Sequence, residues 1–230
     1  VAIANYDSVS EYVGAGAIIS AAIDTYGRVD ILCNAAGILR DRMVFNMTET
    51  EWDQVLRVHL SGTFNVVRHC VPIMMKQNYG RIALFSSVSG LGSIGQTNYT
   101  SAKEGIVGFT RSIAAELSGY GITINAIYPG ANTRMMATVP DRVLHSSKNP
   151  GGASQIVGSI EPQESLDPEN NAAKISYLCT EAGGLFNGRV LGTNGWAMSI
   201  YSPRRIYKSI KTEGEWKIEN LESLLPISLA

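Results

Sequence analysis

Apolar positions in this chain follow two periods, and the two alternate. Residues 1–4, 29–33, 81–85, 122–127 and 189–192 are short apolar runs of strand length, most of them closed by small, polar or turn-forming residues. Between them apolar residues return every three or four positions, the spacing of a helix with one buried face. Val13, Ala17, Ile18, Ala21 and Ala22 do so within residues 10–26, which Gly27 ends; Ile106, Phe109, Ile113 and Leu117 do so within 98–118. Thr48 and Glu51 form a capping-box pattern that predicts the start of a long helix reaching about residue 76, with Pro72 placed to bend its last turn. Further helices are predicted over 169–180 and about 218–224, and Pro129-Gly130 reads as a turn closing the fourth strand. Residues 134–168 carry Pro140, Pro150, Pro162 and Pro168 and read as a long excursion of the lid type, with one short helix near 140–144.

Strands alternating with helices predict an α/β fold: a doubly wound parallel sheet between two helical layers. In such a sheet ligands collect at the carboxyl ends of the strands. The loops that would open there begin at Asn5-Tyr6, Asn34, Ser86 and Pro129. With no repeat and no break in composition, residues 1–230 read as a single domain with a tail from about 201. In that tail Arg204, Arg205 and Lys211 read as a solvated basic face; Trp196, just before it, and Trp216 within it read as packing anchors.

Composition narrows the possibilities by exclusion. The 230 residues carry a net charge of -1, with 17% charged, which gives no support for a nucleic-acid partner or an anionic membrane surface. No apolar run has the length of a membrane span. Cys33, Cys70 and Cys179 stand far apart in sequence, form no metal-ligand pattern, and fit a reducing cytoplasmic setting better than a disulfide scaffold. Residue 1 is Val and the chain opens directly in an apolar run, as expected of a chain whose upstream part is missing.

The candidate chemistry lies in residues 86–103, SSVSGLGSIGQTNYTSAK. Tyr99 and Lys103 are one helical turn apart on one face. An ammonium beside a phenol favours the phenolate, so the pair predicts a Tyr99 pKa lowered from about 10 and a group able to exchange protons with an alcohol. A serine at the strand end can hold the same oxygen. Two residues at this spacing are more often an exposed polar pair; the order strand, serines, Gly-rich loop, Tyr, Lys is what raises the chemical reading.

Four ordered motifs, N-A-A-G at 34–37, S-S-V-S-G at 86–90, N-Y-x-x-A-K at 98–103 and P-G-x-x-T at 129–133, together resemble the classical short-chain dehydrogenase/reductase family. The wording around them (ANYDSV, NAAGILRDR, RVHLSGTF, GRVLGTNGW) is similar to the (3R)-hydroxyacyl-CoA dehydrogenase unit of the peroxisomal multifunctional enzymes and their prokaryotic relatives. The resemblance implies a Rossmann-type sheet of about seven strands, a nicotinamide cofactor (NAD, with NADP possible) and hydride transfer between it and a secondary alcohol or ketone. It implies Tyr99 as acid/base, Lys103 on the ribose and tuning Tyr99, and a strand-end serine on the substrate oxygen. Asn5, Tyr6, Asn34, Ala36, Gly37 and Val58 would line the cofactor, and Pro129, Gly130, Ala131 and Thr133 its nicotinamide end. It also implies a homodimer or homotetramer paired through the long helix and the Tyr99 helix. The substrate would be a 3-hydroxyacyl-CoA or its 3-oxo form. The alternatives are an NADPH-dependent reductase of carrier-bound 3-oxoacyl thioesters and a non-catalytic, cofactor-sensing relative. Met135, Met136, Val139, Val143 and Leu144 would suit an apolar pocket wall.

Three departures from the family pattern matter. His59 stands where the family usually has an asparagine that holds a relay water; it reads equally as a relay group and as a histidine satisfied by helix packing, while His69 and His145 read as structural or surface residues. The loop before Tyr99 is one residue short, so keeping the strand in register selects Ser87, twelve residues before Tyr99, and the commoner spacing of thirteen selects Ser86; we expect Ser87. Finally, the Gly-rich pyrophosphate turn and the strand that selects NAD or NADP are absent from these 230 residues, which predicts weak cofactor binding and marginal folding of this chain by itself.

Overall fold

The computed structural model describes residues 2–133 and 166–228. Four strands, β1 (Ile31–Asn34), β2 (Gly80–Phe85), β3 (Ile122–Gly130) and β4 (Val190–Asn194), run parallel in that order, and β5 (Ser199–Ile200) pairs antiparallel with β4. The helices are α1 (Tyr12–Tyr26), α2 (Glu49–Leu56), α3 (Gly62–Gln77), α4 (Thr97–Glu116), α5 (Glu169–Leu178) and α6 (Ile218–Ser228). The sheet is covered on both faces because its strands alternate apolar side chains to both. Ile82, Leu84 and Ile124 face a core shared with Val66, Met74 and Ile106 of α3 and α4. Ala83, Ile127 and Leu191 face the opposite core with Leu178 and Cys179 at the end of α5.

The long helix begins where the capping box placed it. The Thr48 hydroxyl accepts from the Glu51 N–H at 3.2 Å and the Glu51 carboxylate accepts from the Thr48 N–H at 2.9 Å. It runs unbroken from α2 through a π-helical turn (Arg57–Ser61) into α3, and carries Pro72 through to Gln77.

Several expectations are corrected. Residues 2–7 form no strand, and Tyr6 is 96% exposed. A strand needs a neighbour for its N–H and C=O groups. This segment instead leads to Val9, whose carbonyl accepts from the Asn65 side chain at 2.9 Å on α3. The described sheet accordingly has five strands where about seven were implied. Pro129 and Gly130 are not a turn but the last two residues of β3, paired with Thr193 and Asn194. The proline is tolerated because β2 has already ended: its pairing with β3 stops at Phe85–Ile127, with one further bond from the Ser86 N–H to the Ile127 carbonyl. The missing N–H of Pro129 therefore costs no ladder bond. Trp196 and Trp216 are exposed rather than packing anchors, at 65% and 41%. Arg204 is not wholly a solvated cation, since it pairs with Glu104 at 2.5 Å. Cys33 and Cys179, distant in sequence, lie with their sulfurs 3.9 Å apart. The 140–144 helix and most of the excursion fall outside the described residues, as do His145 and the proposed pocket-wall residues.

Candidate active site

Parallel pairing brings the carboxyl ends of β1, β2 and β3 to one edge of the sheet. Asn34, Ser86, Ser87 and the end of β3 lie there, and α4 sets Tyr99 and Lys103 against them. Asn5 and Tyr6 do not follow a strand and do not share this geometry; Asn5 accepts from the Asp7 N–H at 2.8 Å.

The two serines separate clearly. Ser86 continues the face of Ile82 and Leu84, is 2% exposed, and donates to the Lys103 carbonyl at 2.6 Å. That hydroxyl is committed to holding α4 on the sheet. Ser87 turns the other way, accepts from the Ser89 N–H at 3.1 Å, and lies near enough to the Tyr99 phenol to favour its ionised form. Alternation of side chains along an extended strand end produces the difference.

Lys103 is 4% exposed, with its ammonium 2.5 Å from the Phe85 carbonyl and 5.4 Å from the centre of the Tyr99 ring. Burial lowers its pKa to about 7. The expected lowering of the Tyr99 pKa by this lysine is not what the geometry gives. Burial of the phenol raises it, Ser87 opposes that, and the negative charge of Asp41 adds to the rise. Lys103 is not among the groups that move the Tyr99 pKa, and its own charge is only partial at neutral pH.

His59 is 1% exposed and sits in the π turn. Its ring meets Tyr99 edge-on, centroids 5.1 Å apart at 90°. Nε2 faces both the N–H and the carbonyl of Ile38, at 3.0 and 2.8 Å, so either neutral tautomer finds a partner there. Nδ1 is buried without a partner among the described residues. Burial, then the Lys103 charge, lowers the His59 pKa to about 4, with the Ile38 contact opposing. The ring also explains Gly37: a Cβ on that residue would collide with the imidazole. His69, by contrast, donates to the Tyr12 carbonyl at 2.9 Å and packs on its ring, a structural role as expected.

The loop after β1 is anchored from beneath. Asn34 donates to Thr63 at 2.9 Å, and Thr63 donates to the His59 carbonyl at 2.6 Å. Ala36 and Val58 are half-buried beside this chain of bonds. At the other end of the site, Asn171 of α5 donates to the Gly130 carbonyl at 3.1 Å, and a side chain on Gly130 would strike Asn194. Ala131 is half-buried and Thr133 exposed at the last described position before the excursion.

Sequence reasoning missed three residues here. Asp41 has one oxygen held by Gln96 at 2.9 Å and the other buried without a partner among the described residues, and burial raises its pKa. Asn98 donates to the carbonyls of Arg40 and Glu51, both at 3.0 Å, joining the β1 loop, α2 and α4. Thr63 is the third. Asp41 and Asn98 lay inside motifs quoted whole, but no spacing rule marks a residue whose task is to tie loops together.

The residues fit the nicotinamide and ribose half of a cofactor. Lys103 has donors beyond its carbonyl partner at Phe85, and the Asn171 and Thr193 side-chain oxygens are buried without partners among the described residues. Besides the loop between β2 and α4, which carries Ser87 and leads to Tyr99, no Gly-rich strand-to-helix turn for a pyrophosphate occurs among the described residues. No group of three or more metal-ligating side chains occurs among the described residues.

A parallel sheet with serine, tyrosine and lysine converging on its carboxyl edge defines a Rossmann-type oxidoreductase. The family model described as short chain dehydrogenase matches residues 2–143, and the chain belongs to that family of NAD(P)-dependent oxidoreductases. It is 40% identical over 191 residues to the peroxisomal multifunctional enzyme type 2 of Mus musculus, covering 80% of this chain and 23% of that protein. It is 36% identical over 180 residues to the 3-oxoacyl-[acyl-carrier-protein] reductase FabG of Thermotoga maritima, covering 77% and 70%. A crystal structure of a short chain dehydrogenase from Mycobacterium avium superposes with a TM-score of 0.80 at 33% identity, over 95% of this chain and 70% of that one.

Proposed function

We propose that this chain carries the proton-transfer half of a reversible reduction of a 3-oxoacyl thioester to its 3-hydroxy form. The observation that carries the reading is the convergence of Ser87, Tyr99 and the buried Lys103 at the carboxyl end of β2, with the Lys103 ammonium 5.4 Å from the centre of the Tyr99 ring. When bound, a nicotinamide cofactor supplies or takes up the hydride. Lys103, Gly130, Ala131 and Thr133 would hold its ribose and nicotinamide end, with Asn34, Ala36, Gly37 and Val58 toward the adenosine. The substrate carbonyl oxygen sits between Ser87 and Tyr99. In reduction the phenol gives its proton to that oxygen as the carbon gains hydride. A phenol with a raised pKa is protonated at neutral pH and suited to act as an acid. Lys103, at about 7, is poised to return the proton, and His59 with its unpartnered Nδ1 can bind a relay water in its neutral form.

The resemblance to a hydroxyacyl-CoA dehydrogenase unit and the FabG relative both support a 3-oxoacyl thioester. They differ in carrier and in cofactor. Following reduced-nicotinamide absorbance with acetoacetyl-CoA and millimolar NADH or NADPH in turn tests the reading. Faster oxidation of NADH supports the CoA-linked dehydrogenase, and faster oxidation of NADPH the carrier-protein reductase. No oxidation of either would remove both.

We also propose a homodimer or homotetramer paired through α3 and α4. Between these helices lies an apolar cavity of about 260 Å³ lined by Phe64, Val67, Val71, Met75, Phe109 and Ile113.

A further inference from the structure

Cys33 is the penultimate residue of β1 and is exposed, whereas Cys179 follows α5 and is buried. The sheet brings them together across 146 positions of sequence, sulfur to sulfur at 3.9 Å. A disulfide needs about 2.05 Å, so closure requires the two side chains to rotate toward each other with some backbone adjustment. We propose that Cys33 and Cys179 are a dithiol site for a hydroperoxide, closing to a disulfide that fastens the end of β1 to the end of α5. The proposal is independent of the catalytic reading and concerns residues outside that machinery.

The surroundings divide the two thiols into an attacking and a resolving partner. The Cys179 thiol hydrogen-bonds Cys33 and lowers the Cys33 pKa to about 7, while the same contact and burial raise that of Cys179. At neutral pH the accessible sulfur is thus substantially thiolate, the form that reacts with peroxide. Arg81 lies beside Cys179, its Nε donating to the Thr180 carbonyl at 3.0 Å, and its charge partly opposes the rise of the Cys179 pKa. In the first step the Cys33 thiolate attacks one peroxide oxygen, the O–O bond breaks, Cys33 becomes a sulfenic acid and hydroxide leaves as water. In the second the Cys179 sulfur attacks the Cys33 sulfur, the S–O bond breaks, and a second water departs with the Cys179 proton. Two thiols are oxidised by two electrons and one hydrogen peroxide is reduced to two waters. The bond would fix β1 immediately before Asn34, whose side chain holds the loop of the candidate active site through Thr63.

The test is a non-reducing peptide map of the wild-type chain after stoichiometric hydrogen peroxide, with thiols labelled under denaturing conditions. The expected result is a Cys33–Cys179 cross-linked peptide pair, two hydrogens lighter than the sum of its parts and released by dithiothreitol. Cys70, 0% exposed, should keep its thiol and serves as internal reference. In Cys179→Ser, dimedone should trap a sulfenic acid at Cys33 that the wild type does not accumulate. In Cys33→Ser, Cys179 should lose its reactivity at least about tenfold, since the sulfur left is buried and protonated. Absence of the cross-linked pair, its replacement by intermolecular dimers on a non-reducing gel, or unchanged Cys179 oxidation in Cys33→Ser would overturn the proposal. The wild-type map stands even where a variant folds poorly.

Discussion

Ser86 and Ser87 are adjacent and chemically identical, yet one is committed to structure and the other is free for chemistry. Ser87→Ala should lower turnover by about 10²–10³-fold, as loss of a preorganised donor to the reacting oxygen does, with thermal stability little changed. Ser86→Ala should leave turnover within a few-fold but cost about 1–3 kcal/mol in urea denaturation, because the buried Lys103 carbonyl loses its donor. Reversal of the two effects would reassign the serines. His59 makes a separate prediction in pH. Its pKa is about 4 in the fold and near 6.5 when free, so between these values the unfolded chain binds the extra proton. The stability it confers is present above about pH 6.5 and is lost as pH falls toward 4. Urea midpoints at pH 7 and 4.5 should therefore differ less in His59→Gln than in the wild type; an equal drop in both would contradict this. That the two serines point to opposite faces was legible from strand alternation, and keeping the strand in register is what favoured Ser87. The direction of the Tyr99 shift was not, because sequence shows that a lysine is one turn away but not that the phenol itself is buried.

Elements were legible where local chemistry sets them. The Thr48–Glu51 box fixes the start of the long helix, and the period of Ile106, Phe109, Ile113 and Leu117 fixes the buried side of α4. The π turn at Arg57–Ser61 was not legible, since no residue type signals one extra residue in a turn. That turn carries the His59 side chain against Gly37 and its carbonyl to Thr63, so helix α2–α3 and the β1 loop are a single fitted unit. Gly37→Ala should accordingly destabilise by about 1–3 kcal/mol and lower cofactor affinity, since the methyl and the imidazole contend for one space. A second change, His59→Ala, should restore much of the stability; failure of the double variant to recover would show that the clash is not with the ring.

At the scale of the molecule, alternation of strand and helix gave the parallel sheet and its site-bearing edge. It failed at residues 2–4, part of an apolar run of strand length, which form no strand. Strand formation is a property of pairs, and a single segment does not declare its partner. The apolar faces of α3 and α4 make a prediction at this same scale. Phe64 is 47% exposed at their surface cavity, an arrangement suited to burial against a second copy. Light scattering with size exclusion should give a dimer or tetramer for the wild type and a smaller species for Phe64→Asp; a monomeric wild type would contradict the pairing. The central claim is that Tyr99 transfers the proton. Its most direct measurement is reduced-nicotinamide oxidation with acetoacetyl-CoA at millimolar cofactor, wild type against Tyr99→Phe, with cofactor binding followed in parallel by nicotinamide fluorescence. The account predicts a loss of about 10²–10⁴-fold in turnover with binding nearly unchanged. A Tyr99→Phe chain that turns over at the wild-type rate would contradict it.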